Sequence, residues 1–346
     1  MTPPPVNFGS GTSGTFTLPL QITVSLGAPT QATQPGVSTR ESTLGESFLE
    51  KIEPDQDFDN RPGYDPDFLG FSVPLPKLTA DIKQLAVKVP GSGHELKYFH
   101  YSVIMNGRRR LAFVSAGNLD AKAKVVHERE GADKWFMDPR ISEDFQAGEE
   151  IYSSNPLDRG HLVRRADAAW GKTAEEARLA NDDTFHFTNC SPQHEVFNQS
   201  SKATKKKLIL WGNIENHIAK EATHVELKKV SIFNGPVFRQ NDRKHRGLQI
   251  PREYWKIVVF RNDQSEPRAL AFVLSQAALI KTLPTEDFMV GPYEVYQVKV
   301  RELEAKTKLD FGELRDFDPL EDSTNEAFFE AATEALVVGD LRSIVL

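Results

Sequence analysis

Two apolar runs at residues 98–104 and 110–116 flank Met105-Asn106-Gly107-Arg108, and this pattern constrains the fold of the 346-residue chain more than any other. Asn-Gly between runs of β-branched and aromatic residues is a hairpin signal, because both residues tolerate the positive φ that a tight turn between twisted strands needs. Further strand-like runs follow at residues 185–188, 230–234, 255–261, 270–275 and 294–300. Helical spacing is clear at residues 205–222, where Leu208, Trp211, Ile214 and Ile218 share a face. A shorter helix is expected at residues 174–180, with Thr173 placed to cap it and Glu176 three residues on. Hairpin-linked strands with few helices predict an α+β fold, a mixed and largely antiparallel sheet with helices and long loops.

Residues 1–58 read as a separate N-terminal extension. They are rich in Gly, Ser, Thr and Pro, with one alternating apolar patch at 16–26 that suits a short strand and a short helix at 42–51. Residues 59–346 are expected to form the folded domain, with the turn-rich stretch 61–70 laid over its core as a strap. The single cysteine, Cys190, excludes an internal disulfide framework. No apolar run is long enough to span a membrane, and Met1-Thr2-Pro3-Pro4-Pro5 lacks the basic and apolar segments of a secretory signal. The cytoplasm is then the default location, with export by a non-classical route left open.

The net charge of −7 argues against a passive nucleic-acid binder, but the average conceals an asymmetry. Acids dominate residues 40–70, whereas Arg159, Arg164, Arg165, Lys172, Arg178, Lys202, Lys205, Lys206 and Lys207 make residues 159–207 locally basic. That basic region holds two polar clusters, Asp158-Arg159-Gly160-His161-Leu162 and Thr188-Asn189-Cys190-Ser191-Pro192-Gln193, the second followed by Phe197-Asn198-Gln199. A histidine that can take a proton, an amide that can sit beside a hard metal ion, and arginines that can meet phosphate together suggest phosphodiester cleavage.

Residues 98–311 resemble the DNA/RNA non-specific endonuclease family, the sugar-non-specific, endonuclease G-like group. The resemblance rests on Asp158-Arg159-Gly160-His161, Thr188-Asn189 with Pro192-Gln193, Asn198-Gln199, Trp211 with Glu215, and Gly235-Pro236-Val237. It implies a ββα-metal active site that hydrolyses DNA and RNA with little sequence preference. His161 would be the general base and Asn198 the ligand of Mg²⁺, for which Mn²⁺ could substitute; Mg²⁺ prefers oxygen ligands and keeps several waters. Asn189 would orient the histidine or the metal's water shell, and Arg159 would bind phosphate or brace the site. Arg159, Arg140 and Gln193 are the expected substrate contacts. Family members also carry an upstream arginine that stabilises the transition state, for which Arg129 ranks ahead of Arg140. Glu215 matches a glutamate that supports the metal-bound waters. Here the chain departs from the pattern: residues 200–210 are inserted, and an uninterrupted helix from Asn198 to Glu215 would place them about 25 Å apart. Dimerisation is common among relatives, so a homodimer is left open; an active nuclease without an export signal would endanger its own cell, which points to an inhibitor, an activating partner or secretion by another route.

Other signals are weaker. Cys190 reads as a packing thiol, His186 and His194 lack zinc-ligand spacing, and Tyr254 with Trp255 reads as core rather than a base-stacking platform. The rival reading is a non-catalytic nucleic-acid-binding or regulated effector module that retains the nuclease fold.

Overall fold

Runs of β-branched and aromatic residues pair as antiparallel strands. The computed structural model describes residues 57–125, 134–194, 228–276, 295–321, 336–337 and 344–345, all within the unit Leu49–Leu346. Its strands are β1 (Lys77–Leu78), β2 (Glu95–Tyr98), β3 (Tyr101–Asn106), β4 (Leu111–Asp120), β5 (Leu157–His161), β6 (Cys190–His194) and β7 (Lys229–Val237). They continue with β8 (Arg243–His245), β9 (Leu248–Ile250), β10 (Glu253–Arg261), β11 (Pro267–Ser275), β12 (Val295–Val298), β13 (Leu309–Asp310) and β14 (Leu336–Val337). Helices are α1 (Ala80–Lys83), α2 (Arg165–Ala168), α3 (Ala174–Asp183) and α4 (Val300–Thr307). Among the described residues an eight-stranded sheet runs β14-β12-β11-β10-β7-β4-β3-β2, and its pairings are antiparallel.

Both faces of this sheet are covered. In β10, Tyr254, Val258 and Phe260 belong to one core cluster, whereas Trp255, Ile257 and Val259 belong to the other. A strand buried on both sides loses the apolar–polar alternation of a half-exposed one, which is why residues 255–261 read as a nearly continuous apolar run. Burying each large side chain contributes about 1.5–3 kcal/mol. A third cluster, with Tyr152, Leu157, Phe187, Cys190, Leu248 and Ile250, supports a separate two-stranded sheet made by β5 and β6. The stretch at 61–70 acts as the expected strap: Tyr64, Phe68 and Leu69 are buried in the second sheet-face cluster. Gly63 adopts φ +81°, and a Cβ on it would lie 2.8 Å from Ser102 Oγ.

Several boundaries differ from expectation. The run 98–104 is split between β2 and β3 by a turn at Phe99-His100, with His100 at φ 65°. At the other end of β3, the turn is wider than a two-residue Asn-Gly turn. Arg110 carries the positive φ, its N–H reaches Asn106 O at 2.8 Å, and the Asn106 side chain accepts from Arg109 N at 3.1 Å. Residues 185–188 form no strand; the chain makes a short helical turn over Phe187–Asn189 before β6. Thr173 caps α3 as expected, its hydroxyl accepting from Glu176 N at 3.1 Å, and the helix runs on to Asp183. The expected strand at 16–26 and the helices at 42–51 and 205–222 lie outside the described residues. No helix among the described residues is long and apolar enough to cross a membrane.

Candidate active site

The two polar clusters meet residue by residue. In the β5–β6 ladder Asp158 faces Gln193, Arg159 faces Pro192, Gly160 faces Ser191, and His161 faces Cys190. A Cβ on Gly160 would lie 2.2 Å from Gln193 Cδ, so a side chain there would force Gln193 to move. Gln193 is buried and lies across the strand at Gly160.

His161 ends β5 half-buried, with two aromatic walls. Trp135 lies 4.6 Å away between ring centroids at an interplanar angle of 51°, and Phe185 meets the imidazole edge to face at 5.0 Å. Trp135 in turn packs on Phe185 and Phe187. The chain beyond His161 is pinned by Asn189. Leu162 N donates to Asn189 O at 2.9 Å, while the Asn189 side-chain Oδ1 accepts from Val163 N at 3.0 Å and from Ser115 Oγ at 2.8 Å. Asn189 Nδ2 donates to Val163 O at 2.8 Å and Thr184 O at 3.1 Å. Asn189 therefore reaches His161 through the backbone two residues on. These bonds use both Nδ2 protons and two acceptor sites on Oδ1.

The arginines differ in how they are held. Arg140 makes a forked pair with buried Asp138, donates to Lys97 O at 2.7 Å, and lies over Phe58 and Tyr98. Burial raises the Asp138 carboxyl, but Arg140's hydrogen bonds and charge outweigh it and hold the group below the usual range. Arg159 pairs with Glu149 across the surface, and that bond raises the guanidinium further. Arg164 pairs with Asp167 at 2.6 Å. Arg165, first residue of α2, makes no ion pair or side-chain hydrogen bond among the described residues.

The Cys190 thiol is fully buried and donates to the Tyr152 hydroxyl at 3.2 Å; burial pushes it up to about 12, with that bond and Arg159 opposing. It stays a packing thiol, as expected. His186 is buried and donates through Nδ1 to Asp183 O at 2.8 Å; desolvation lowers it, with Asp138 and Asp183 opposing. Tyr254 and Trp255 are core residues as expected.

A family model for DNA/RNA non-specific endonucleases matches residues 78–316. The chain belongs to this family. Among curated relatives, the uncharacterized protein y4fB of Sinorhizobium fredii is 39% identical over 246 residues, 68% of this chain and 36% of that protein. A nuclease of Nostoc is 28% identical over 162 residues, 46% of this chain and 52% of that one. Mitochondrial endonuclease G of Bos taurus is 24% identical over 151 residues, 40% of this chain and 45% of that one. The chain thus spans about a third to a half of the length of these relatives.

Within this endonuclease family member, the structure brings His161, Arg159, Asn189 and Gln193 onto or beside the β5–β6 pair and sets Arg140 against Asp138 instead. Arg129, Asn198 and Glu215 lie outside the described residues. Sequence reasoning missed Trp135 and Phe185 as walls of the histidine, because their convergence joins segments about 50 residues apart. It also missed Lys256, a lysine buried in β10 that feels the charges of Arg164 and Asp167. Desolvation and the neighbouring Arg164 lower Lys256 well below an ordinary lysine, and Asp167 opposes them. An apolar strand with one central lysine carried no signal of this.

Proposed function

We propose that this chain is a metal-dependent endonuclease that hydrolyses phosphodiester bonds of DNA and RNA with little sequence preference, with His161 as its general base. The observation that carries the reading is the antiparallel β5–β6 pair. It pairs Asp158-Arg159-Gly160-His161 with Cys190-Ser191-Pro192-Gln193 and ends on an imidazole walled by Trp135 and Phe185. His161 takes a proton from a water whose oxygen attacks phosphorus in line. The bond to the 3′ oxygen breaks and that oxygen takes a proton from solvent, leaving a 5′-phosphate and a 3′-hydroxyl. Asn189 fixes the chain that carries the imidazole, which limits the reorganisation needed at the moment of attack.

Among the described residues no three His, Cys, Asp or Glu side chains gather as a metal-ligand set. Mg²⁺ held by one amide oxygen and waters requires no such set. On the sequence motif, Asn198 is the residue that would hold it, with Glu215 supporting its waters and Mn²⁺ as a substitute. When bound, the ion would supply Lewis-acid stabilisation of the scissile phosphate and the leaving oxygen. Arg159 is available to phosphate because its partner Glu149 is exposed, and such surface pairs are worth about 0–1 kcal/mol. Arg165 is the more direct candidate, having no carboxylate to displace among the described residues. Contacts of this kind go to phosphate and carry no base information, which accounts for the low sequence preference. Arg129 remains the sequence-based candidate for the transition-state arginine.

Purified protein incubated with supercoiled plasmid and with RNA should cleave both in Mg²⁺ and neither in EDTA. Retention of both substrates intact in Mg²⁺, with binding preserved, would favour the non-catalytic module instead.

A further inference from the structure

Strand β4 lies inside the sheet between β7 and β3; its Gly117 lies against Val163, two residues beyond His161, and its Ser115 bonds the Asn189 side chain that clamps Val163. They are two apart, so they project to the same sheet face. Ser115 Oγ donates at 2.8 Å to the same Asn189 Oδ1 that accepts from Val163 N. Gly117 meets Val163 through its side chain: a Cβ on Gly117 would lie 3.0 Å from Val163 Cγ2 and 3.2 Å from Cγ1. Val163 is thus held from two directions, by an amide clamp on its backbone and by a notch in the sheet that receives its methyls. Neither residue lies near the motif in sequence, and neither faces the imidazole directly.

We infer that Ser115 and Gly117 are positioning residues for His161, acting through Asn189 and Val163, so that the central sheet sets where the base stands. This rests on His161 being the base. The backbone ladder between β5 and β6 ends at the His161–Cys190 pair. Beyond it, Leu162 N to Asn189 O and the Asn189 side chain replace the ladder. A rigid sheet strand beneath that replacement gives a reference that a surface loop would lack. Adding a methyl at Gly117 must push Val163 by a few tenths of an ångström, and removing the Ser115 hydroxyl frees one side of the clamp. Misplacement of a catalytic group by about 1 Å costs about a hundredfold. Displacements of this smaller size should therefore cost about three- to tenfold.

The test is steady-state cleavage of a defined oligonucleotide by Gly117→Ala, Ser115→Ala, the double variant Gly117→Ala/Val163→Ala, and His161→Ala. All are assayed at a temperature where circular dichroism shows the protein folded. The expected result is kcat lowered about three- to tenfold in both single variants with KM unchanged, and kcat largely restored in the double variant, where the smaller side chain fits the filled notch. Should Gly117→Ala fail to fold, Ser115→Ala, which deletes one oxygen, carries the test alone. Folded single variants with wild-type kcat beside an inactive His161→Ala would overturn this inference and leave the base assignment intact. An active His161→Ala would instead remove the base assignment on which it rests.

Discussion

Arg140, Arg159, Arg164 and Arg165 all lie in segments that build the site, and the carboxylates around them decide which can meet a phosphate. Asp138 holds Arg140 in a buried fork, Asp167 holds Arg164, and exposed Glu149 holds Arg159, whereas Arg165 has no such partner among the described residues. Arg165→Ala should therefore weaken substrate binding with the fold intact, and the slope of log affinity against log salt should become shallower by about 1. Arg140→Ala should act differently. It leaves Asp138 buried without its cation and should destabilise the protein by about 3 kcal/mol, read as a lowered denaturation midpoint. Salt-dependent binding and urea titrations of the two variants separate these outcomes, and equal behaviour in both assays contradicts the assignment. This division was illegible in the sequence. Arg140 lies two residues from its partner, Arg164 three and Arg159 ten, and nothing in local spacing shows that Arg165, beside Arg164, is left over.

Among the elements, α4 offers a pH test. Its first residue, Val300, donates its N–H at 2.7 Å to Asp318, whose other oxygen accepts from Leu320 N at 2.9 Å. Burial pushes the Asp318 carboxyl up to about 6, the backbone donors opposing. The folded chain holds this proton more tightly than an unfolded carboxyl near 4 does. Its contribution is fully present below about pH 4 and is lost as pH rises through about 6. A shift of about two units is worth about 3 kcal/mol, so stability should fall between pH 4 and 6, and Asp318→Asn should flatten that slope in thermal unfolding. An unchanged slope would show that Asp318 does not titrate there. At this scale the sheet was legible, since its strands are long runs of Val, Ile, Leu and Phe. The β5–β6 pairing was not, because its partners stand some 30 residues apart and the β6 sequence Cys190-Ser191-Pro192-Gln193-His194 has little strand character. Residues 185–188 misled for the opposite reason. Phe185 and Phe187 look like strand residues, but they pack around Trp135 and His161 rather than on a pleated face.

For the whole molecule, a net charge of −7 coexists with a basic motif region, so the proposed attraction of a polyanionic substrate would be local rather than global. The sheet supplies the rigid body: both of its faces are buried, and β4 lies directly under the chain that carries the histidine. Residues 1–58 as an extension and 59–346 as the nuclease domain remain the proposed division of the chain. His161 is the residue on which the proposed chemistry turns. The most direct measurement is the Mg²⁺-dependent nicking rate of supercoiled plasmid by wild type and His161→Ala, followed from pH 5.5 to 8.5. The wild-type rate should rise with pH, because a general base must lose its proton before it can act. His161→Ala, with an unchanged circular dichroism spectrum, should be slower by at least about a hundredfold. A His161→Ala protein that nicks at the wild-type rate with the same pH dependence would contradict it.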